Sequence, residues 1–163
     1  YQWAGPYLYS RQVVAVRSDS DIYTLQDLAG KVVAVQSTTK PEELFLNAEQ
    51  NGLPRLRRLY SLQNRDLIYT TLIKGYADAL ATHESAIRQF MKDYSVEYRI
   101  LDEPLMTARL GVAFAKDRSD DLPQQLTEVF QEMLADGTVR QIVSRYLDDP
   151  EHYLDGLEDS THA

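Results

Sequence analysis

Short runs of Val, Ile, Leu, Ala and Tyr alternate along the chain with segments whose apolar residues recur at helical spacing. Gln12–Arg17, Lys31–Gln36, Leu56–Tyr60, Ala77–Ala81, Glu97–Leu101 and Leu110–Ala115 read as strands. Between them lie helix signals. Thr24 is placed to cap Leu25–Ala29, with Asp27 reaching back and Gly30 ending the turn. Pro41 opens the next helix, whose inner face carries Leu44, Phe45 and Ala48. Asn64 caps a helix running to Lys74 and stopping at Gly75. Ala86, Ile87, Phe90, Met91 and Tyr94 give the clearest helical period.

Strand–helix alternation with strands apolar on both faces implies an α/β fold, a mostly parallel sheet flanked by helices. After Leu110–Ala115 the pattern changes to two amphipathic helices. The first carries Leu122, Leu126, Val129, Phe130, Met133 and Leu134 and ends at Gly137. The second, capped by Thr138, carries Val139, Ile142, Val143, Tyr146 and Leu147. From Asp148 the chain turns acidic and is expected to fray, unless Tyr153, Leu154 and Leu157 anchor it.

Composition narrows the function. The 163 residues carry a formal charge of −8, and six acids lie from Asp148 onward with no Lys or Arg among them. No basic face is left for a nucleic-acid backbone, so no nucleic-acid partner is expected. There is no Cys, which removes disulfides, thiolate metal sites and cysteine nucleophiles. The longest aliphatic stretch, Leu110–Ala115, is far too short to span a membrane. Glycine-rich nucleotide loops and a Gly-x-Ser-x-Gly elbow are missing, and His83-Glu84 is followed by Ile87 where a zinc motif needs His. No cofactor or metal is implied.

The remaining chemistry sits in two loops. In parallel α/β sheets, ligands gather at the carboxyl ends of strands. Gln36-Ser37-Thr38-Thr39 follows one strand, and its hydroxyls and free N–H groups suit a carboxylate or phosphate; from the chemistry alone Thr38 or Thr39 reads first as a plain helix cap. Thr82-His83-Glu84 follows another strand and carries the same two readings.

Taken in order, these pieces resemble the type II periplasmic solute-binding proteins of family 3, the polar amino-acid binders of ABC importers. The likeness is carried by Pro6-Tyr7 with Val13–Arg17, Thr24–Gln36, Ser37-Thr38-Thr39, Asn64–Tyr69, Gly75–Ala79, Gly111–Phe114 and Leu134–Tyr146. It implies an extracytoplasmic or periplasmic domain that closes two lobes on a small polar or anionic solute. By that likeness, residues 1–17 end a first lobe and supply one hinge strand, and residues 18–109 form the second lobe. Residues 110–147 then give the second hinge strand and the C-terminal helices, and residues 148–163 an acidic tail. The resemblance further implies that most of the first lobe precedes Pro6, which would leave the C-terminal helices to pair two copies as a homodimer.

In the family, the loop matching Ser37-Thr38-Thr39 holds the ligand carboxylate, and the position of His83 is usually an Asp that pairs with the α-ammonium. With His at 83, Glu84 is the neighbouring carboxylate, and a ligand without a free α-ammonium is expected. The resemblance implies a non-enzymatic binder, partnered by an importer permease or by signalling domains of its own. The alternative is an enzyme like the cyclohexadienyl dehydratases on the same scaffold.

Overall fold

The computed structural model describes residues 1–157. By chain contacts it separates into two compact units, residues 11–106 and residues 1–10 with 107–163. The chain passes between them along two strands, β1 (Gln2–Arg17) and β6 (Met106–Phe114).

In the 11–106 unit the strands lie in the order β3-β2-β4-β1-β5, with β2 Val32–Gln36, β3 Arg58–Leu62, β4 Ala79–His83 and β5 Tyr98–Ile100. β2 runs parallel to both β3 and β4, whereas β1 is antiparallel to β4 and to β5. The sheet is therefore a parallel centre with an antiparallel flank, more mixed than the alternating pattern suggested. The difference comes from β1, whose entry direction the strand–helix pattern does not encode.

Because side chains alternate across the pleat and both faces of the sheet are covered, the central stretches Val13–Val16, Val32–Val35 and Ala79–Ala81 are continuously apolar. Val14, Val16, Val33, Val35, Ala79 and Ala81 face one core with Leu28, Phe45 and Leu101. Val13, Ala15, Val32, Ala34 and Leu80 face the other, under Ile68, Tyr69, Leu72 and Ile87. Those residues come from α2 (Arg65–Ile73) and α3 (Glu84–Tyr94), while Phe45 lies on α1 (Lys40–Leu46).

Local signals end these elements where expected. Asp27 accepts from the N–H groups of Tyr23 and Thr24 at 2.9 and 2.8 Å, and Asn64 accepts from Asp66 N–H at 2.8 Å. Gly75 closes α2 with φ +70°, a conformation open to glycine. β3 and β4 both start two residues later than the pattern predicts. At β4 the reason is Asp78, which turns rather than extends: its carboxylate accepts from Val32 N–H at 2.7 Å, and its own N–H donates to the Val32 carbonyl at 2.8 Å.

In the other unit, Leu134, Val139, Leu154 and Leu157 form a small core joined by Leu8, Tyr9, Met133 and Val143. Met133 and Leu134 lie on α4 (Leu122–Ala135), Val139 and Val143 on α5 (Thr138–Val143) and Leu154 on α6 (Glu151–Leu154), with Leu157 just beyond it and Leu8 and Tyr9 on β1. Gly111 allows β6 to approach β1: a Cβ there would lie 2.6 Å from the Ala4 carbonyl oxygen. Gly137, not Thr138, caps α5, and Asp136 accepts from the Thr138 N–H at 2.8 Å. The beginning of the acidic tail does not fray. Residues 151–154 form α6, and Tyr153, Leu154 and Leu157 are at most 3% exposed. Glu158, Asp159 and His162 lie outside the described residues.

The Asp78 clamp fixes the start of β4 against β2. Asp78→Ala is expected to cost about 1–3 kcal/mol by leaving a part-buried N–H without its acceptor. Urea denaturation checks this; an unchanged midpoint would show that the clamp contributes nothing.

Candidate functional site

Because β2 and β4 are adjacent and parallel, their carboxyl ends emerge side by side. The register pairs Val33 with Ala79, Ala34 with Leu80 and Val35 with Ala81. Gln36 ends β2 and His83 ends β4, so Gln36-Ser37-Thr38-Thr39 and His83-Glu84 leave the sheet along one edge. The structure thus brings the two sequence-predicted loops together.

The Gln36–Thr39 turn is a tight, self-bonded one. Thr39 Oγ1 donates to the Gln36 carbonyl at 2.5 Å, and Thr38 Oγ1 donates to the Ser37 carbonyl at 2.7 Å. Thr38 has φ +60°, a left-handed backbone for a β-branched residue. Its N–H donates to the Glu42 carboxylate at 2.6 Å. Hydrogen bonds from the Ser61 hydroxyl and the Thr38 N–H hold the Glu42 carboxyl below the usual range. The turn thus already directs a backbone donor at a carboxylate, one supplied by its own chain.

At the end of β4, the amide nitrogen of Gln12 lies 3.0–3.1 Å from the ring nitrogens of His83. β1 delivers Gln12 by pairing it directly with His83. Gln12 is 5% exposed, and its Oε1 is buried with no hydrogen-bond partner among the described residues. His83 is exposed as a residue, but the burial of its ring lowers its pKa, and the Arg65 charge lowers it further. It is therefore neutral at pH 7 and offers no negative charge to an ammonium group. Arg65, at the start of α2, places Nε 3.4 Å from Gln36 Oε1 and adds a positive charge to the edge.

Glu84, the neighbouring carboxylate, is engaged within the chain. Its side chain is 2% exposed; Arg88 holds it at 2.7 Å and Arg11 lies 3.6 Å away. The i,i+4 spacing of Glu84 and Arg88 on α3 is the sequence signal for that engagement. Gln12 and Arg65 are the edge residues that sequence reasoning missed. Nothing local in an apolar strand marks Gln12, because the pairing that aims it is long-range.

Among the described residues no group of three His, Asp or Glu side chains is placed to hold a metal ion. No helix among them is long and apolar enough to cross a membrane.

A depressed His83 pKa means that the unfolded chain binds its proton first as pH falls. The stability owed to neutral His83 is present above the ordinary imidazole value and lost as pH drops toward the folded one. His83→Gln is expected to flatten the decline in urea midpoint between neutral and mildly acidic pH. A decline as steep as in the parent would show that His83 titrates freely.

Known proteins share this architecture. Residues 5–151 match the family model described as ABC transporter, phosphonate, periplasmic substrate-binding protein. The histidine-binding periplasmic protein of Escherichia coli K12 is 35% identical over 147 residues, covering 85% of this chain and 54% of that protein. The chain therefore spans about half the length of the curated relatives it matches. The crystal structure of the substrate-binding protein of an amino acid ABC transporter superposes with a TM-score of 0.65 at 27% identity, over 89% of this chain and 62% of that one. An ancestral amino-acid-binding protein, described as a precursor of cyclohexadienyl dehydratase, shares the fold with a TM-score of 0.66 at 23% identity, over 90% of this chain and 61% of that one. The chain belongs to the periplasmic substrate-binding proteins of ABC transporters, in the type II, family 3 group that its sequence resembles.

Proposed function

We propose that this chain binds a small polar solute in the periplasm, with Gln36, Ser37, Thr38, Thr39 and His83 contacting it. It does so as the substrate-binding component of an ABC importer, partnered by the permease, or as the sensing domain of a membrane receptor. The observation that carries the reading is the adjacency of the β2 and β4 carboxyl ends, which sets both loops on one edge. The relatives' names support an amino-acid-like solute: they are described as histidine- and glutamate-binding proteins.

The chemistry of the edge narrows the solute class. The Thr38 N–H shows the turn presenting a backbone donor to a carboxylate, here Glu42 of the same chain, and Arg65 adds positive charge. A neutral His83 stands where an ammonium would need an acid, and Glu84 is held by Arg88 with Arg11 beside it. The preferred ligand is an anion, or a neutral molecule, without a free α-ammonium. The dehydratase alternative is less favoured, because the curated relatives are named as binding proteins and Glu84 is withdrawn from the edge as an acid. The same reading pairs two copies through α4 and α5, supported by the exposure of Val129, Ile142 and Tyr146.

Glutarate and L-glutamate separate the classes, since they differ only in the α-ammonium. Apparent affinities from ligand titrations followed by protein NMR, which reads weak binding, are expected to favour glutarate. His83→Asp is expected to shift the balance toward L-glutamate by roughly 1.5–3 kcal/mol, the size of a charge-assisted hydrogen bond. Equal shifts for both ligands in parent and variant would remove His83 from the site.

A further inference from the structure

Away from that edge, the end of α1 and the segment 53–59 enclose a cleft of about 680 Å³. This lies within the roughly 300–1,000 Å³ of ligand-sized clefts. Phe45, Leu53, Leu56 and Leu59 line it, and Leu46 at its mouth is 69% exposed. Arg55, Arg57 and Arg58 stand around these apolar residues, with Glu49 also in the lining. No carboxylate among the described residues pairs with any of the three guanidiniums. Arg55 and Arg57 enter hydrogen bonds through backbone atoms, and Arg58 lies 5.6 Å from the Tyr60 ring centre with Nη1 3.4 Å from its hydroxyl.

In a chain with a formal charge of −8, acids are plentiful, yet among the described residues Glu49 is the acid in the cleft lining and it forms no ion pair with these arginines. Three like charges within four residues repel one another, and an unpaired guanidinium presents a donor fork that fits carboxylates. An apolar floor ringed by such forks is complementary to a partner carrying both acids and an apolar side chain. The cleft also borders β3, the end strand of the sheet, whose outer edge pairs with no other strand among the described residues. A free edge of this kind accepts an added extended segment through main-chain hydrogen bonds. A bilayer is the poorer fit, because anionic lipid attracts larger basic clusters and the whole chain here is acidic.

We propose that this cleft docks an acidic, extended segment of a partner protein. An apolar side chain enters between Phe45, Leu53 and Leu56, carboxylates meet Arg55, Arg57 and Arg58, and the segment runs on along β3. Apart from Leu46, which also lines a cleft with Thr38 and Thr39, the residues of this surface are not those assigned to the solute site. The competing role for the arginines is to blunt an edge strand against unwanted pairing, and that role predicts no specific binding.

Fluorescence anisotropy with the full chain separates the two. The probe is a labelled peptide of alternating glutamate and leucine, and the control is the same peptide with lysine for glutamate. Saturable binding of the acidic peptide is expected, weakened by salt and about tenfold or more weaker in the Arg57→Glu/Arg58→Glu double variant. Leu46→Asp, at an exposed position, is expected to weaken it as well, which guards against a folding defect in the first variant. Glutarate in excess is expected to leave peptide binding unchanged. Failure to bind, equal binding of the lysine peptide, or indifference to the charge reversal would overturn the proposal. A preference for phosphatidylglycerol vesicles over the peptide would overturn it too, and would assign the surface to the membrane.

Discussion

The parallel pairing of β2 with β4 is the constraint on which the rest depends. It is held at one end by Asp78, which exchanges two hydrogen bonds with Val32. It is held along its length by cores on both faces of the sheet. A slip of one residue would turn Val33 and Val35 from one core into the other and separate the ends of the strands. With the register fixed, two loops far apart in sequence open on one edge, and β1 brings Gln12 against His83 from the other side.

The chemistry of that edge follows from which charges are taken up internally. Glu42 is bound by the Thr38 N–H and the Ser61 hydroxyl, and Glu84 by Arg88 with Arg11 nearby. Both carboxylates serve local structure: one the turn before α1, the other the start of α3. What faces outward is a neutral imidazole, the Arg65 guanidinium and the Gln36 amide. On the proposed reading, such an edge discriminates by the ammonium that it fails to welcome as much as by the carboxylate that it accepts.

Much of this was legible in the sequence, for identifiable reasons. Two-sided apolar runs marked the central strands, and Asp27, Asn64, Gly75 and Gly137 marked helix boundaries through short-range hydrogen bonds or backbone demands. The loops at Gln36–Thr39 and His83 were legible because strand ends in α/β sheets collect functional groups. What was hidden depended on long-range pairing. The starts of β3 and β4 were displaced because the register with β2, and not apolar content, decides where pairing begins. Gln12 was hidden in an apolar strand, and the parallel sheet acquired an antiparallel flank because nothing local encodes the direction of β1. The acids of the tail pointed to fraying, whereas Tyr153, Leu154 and Leu157 carried the signal for the packing found as far as Leu157.

The proposed site joins both loops. The most direct measurement is a map of backbone amide shifts in the isotopically labelled chain as glutarate is added. The account predicts that the amides of Ser37, Thr38 and Thr39 move together with those of His83 and Glu84, along one saturation curve. Movement of one loop without the other, or movement confined to residues 53–59, would contradict it.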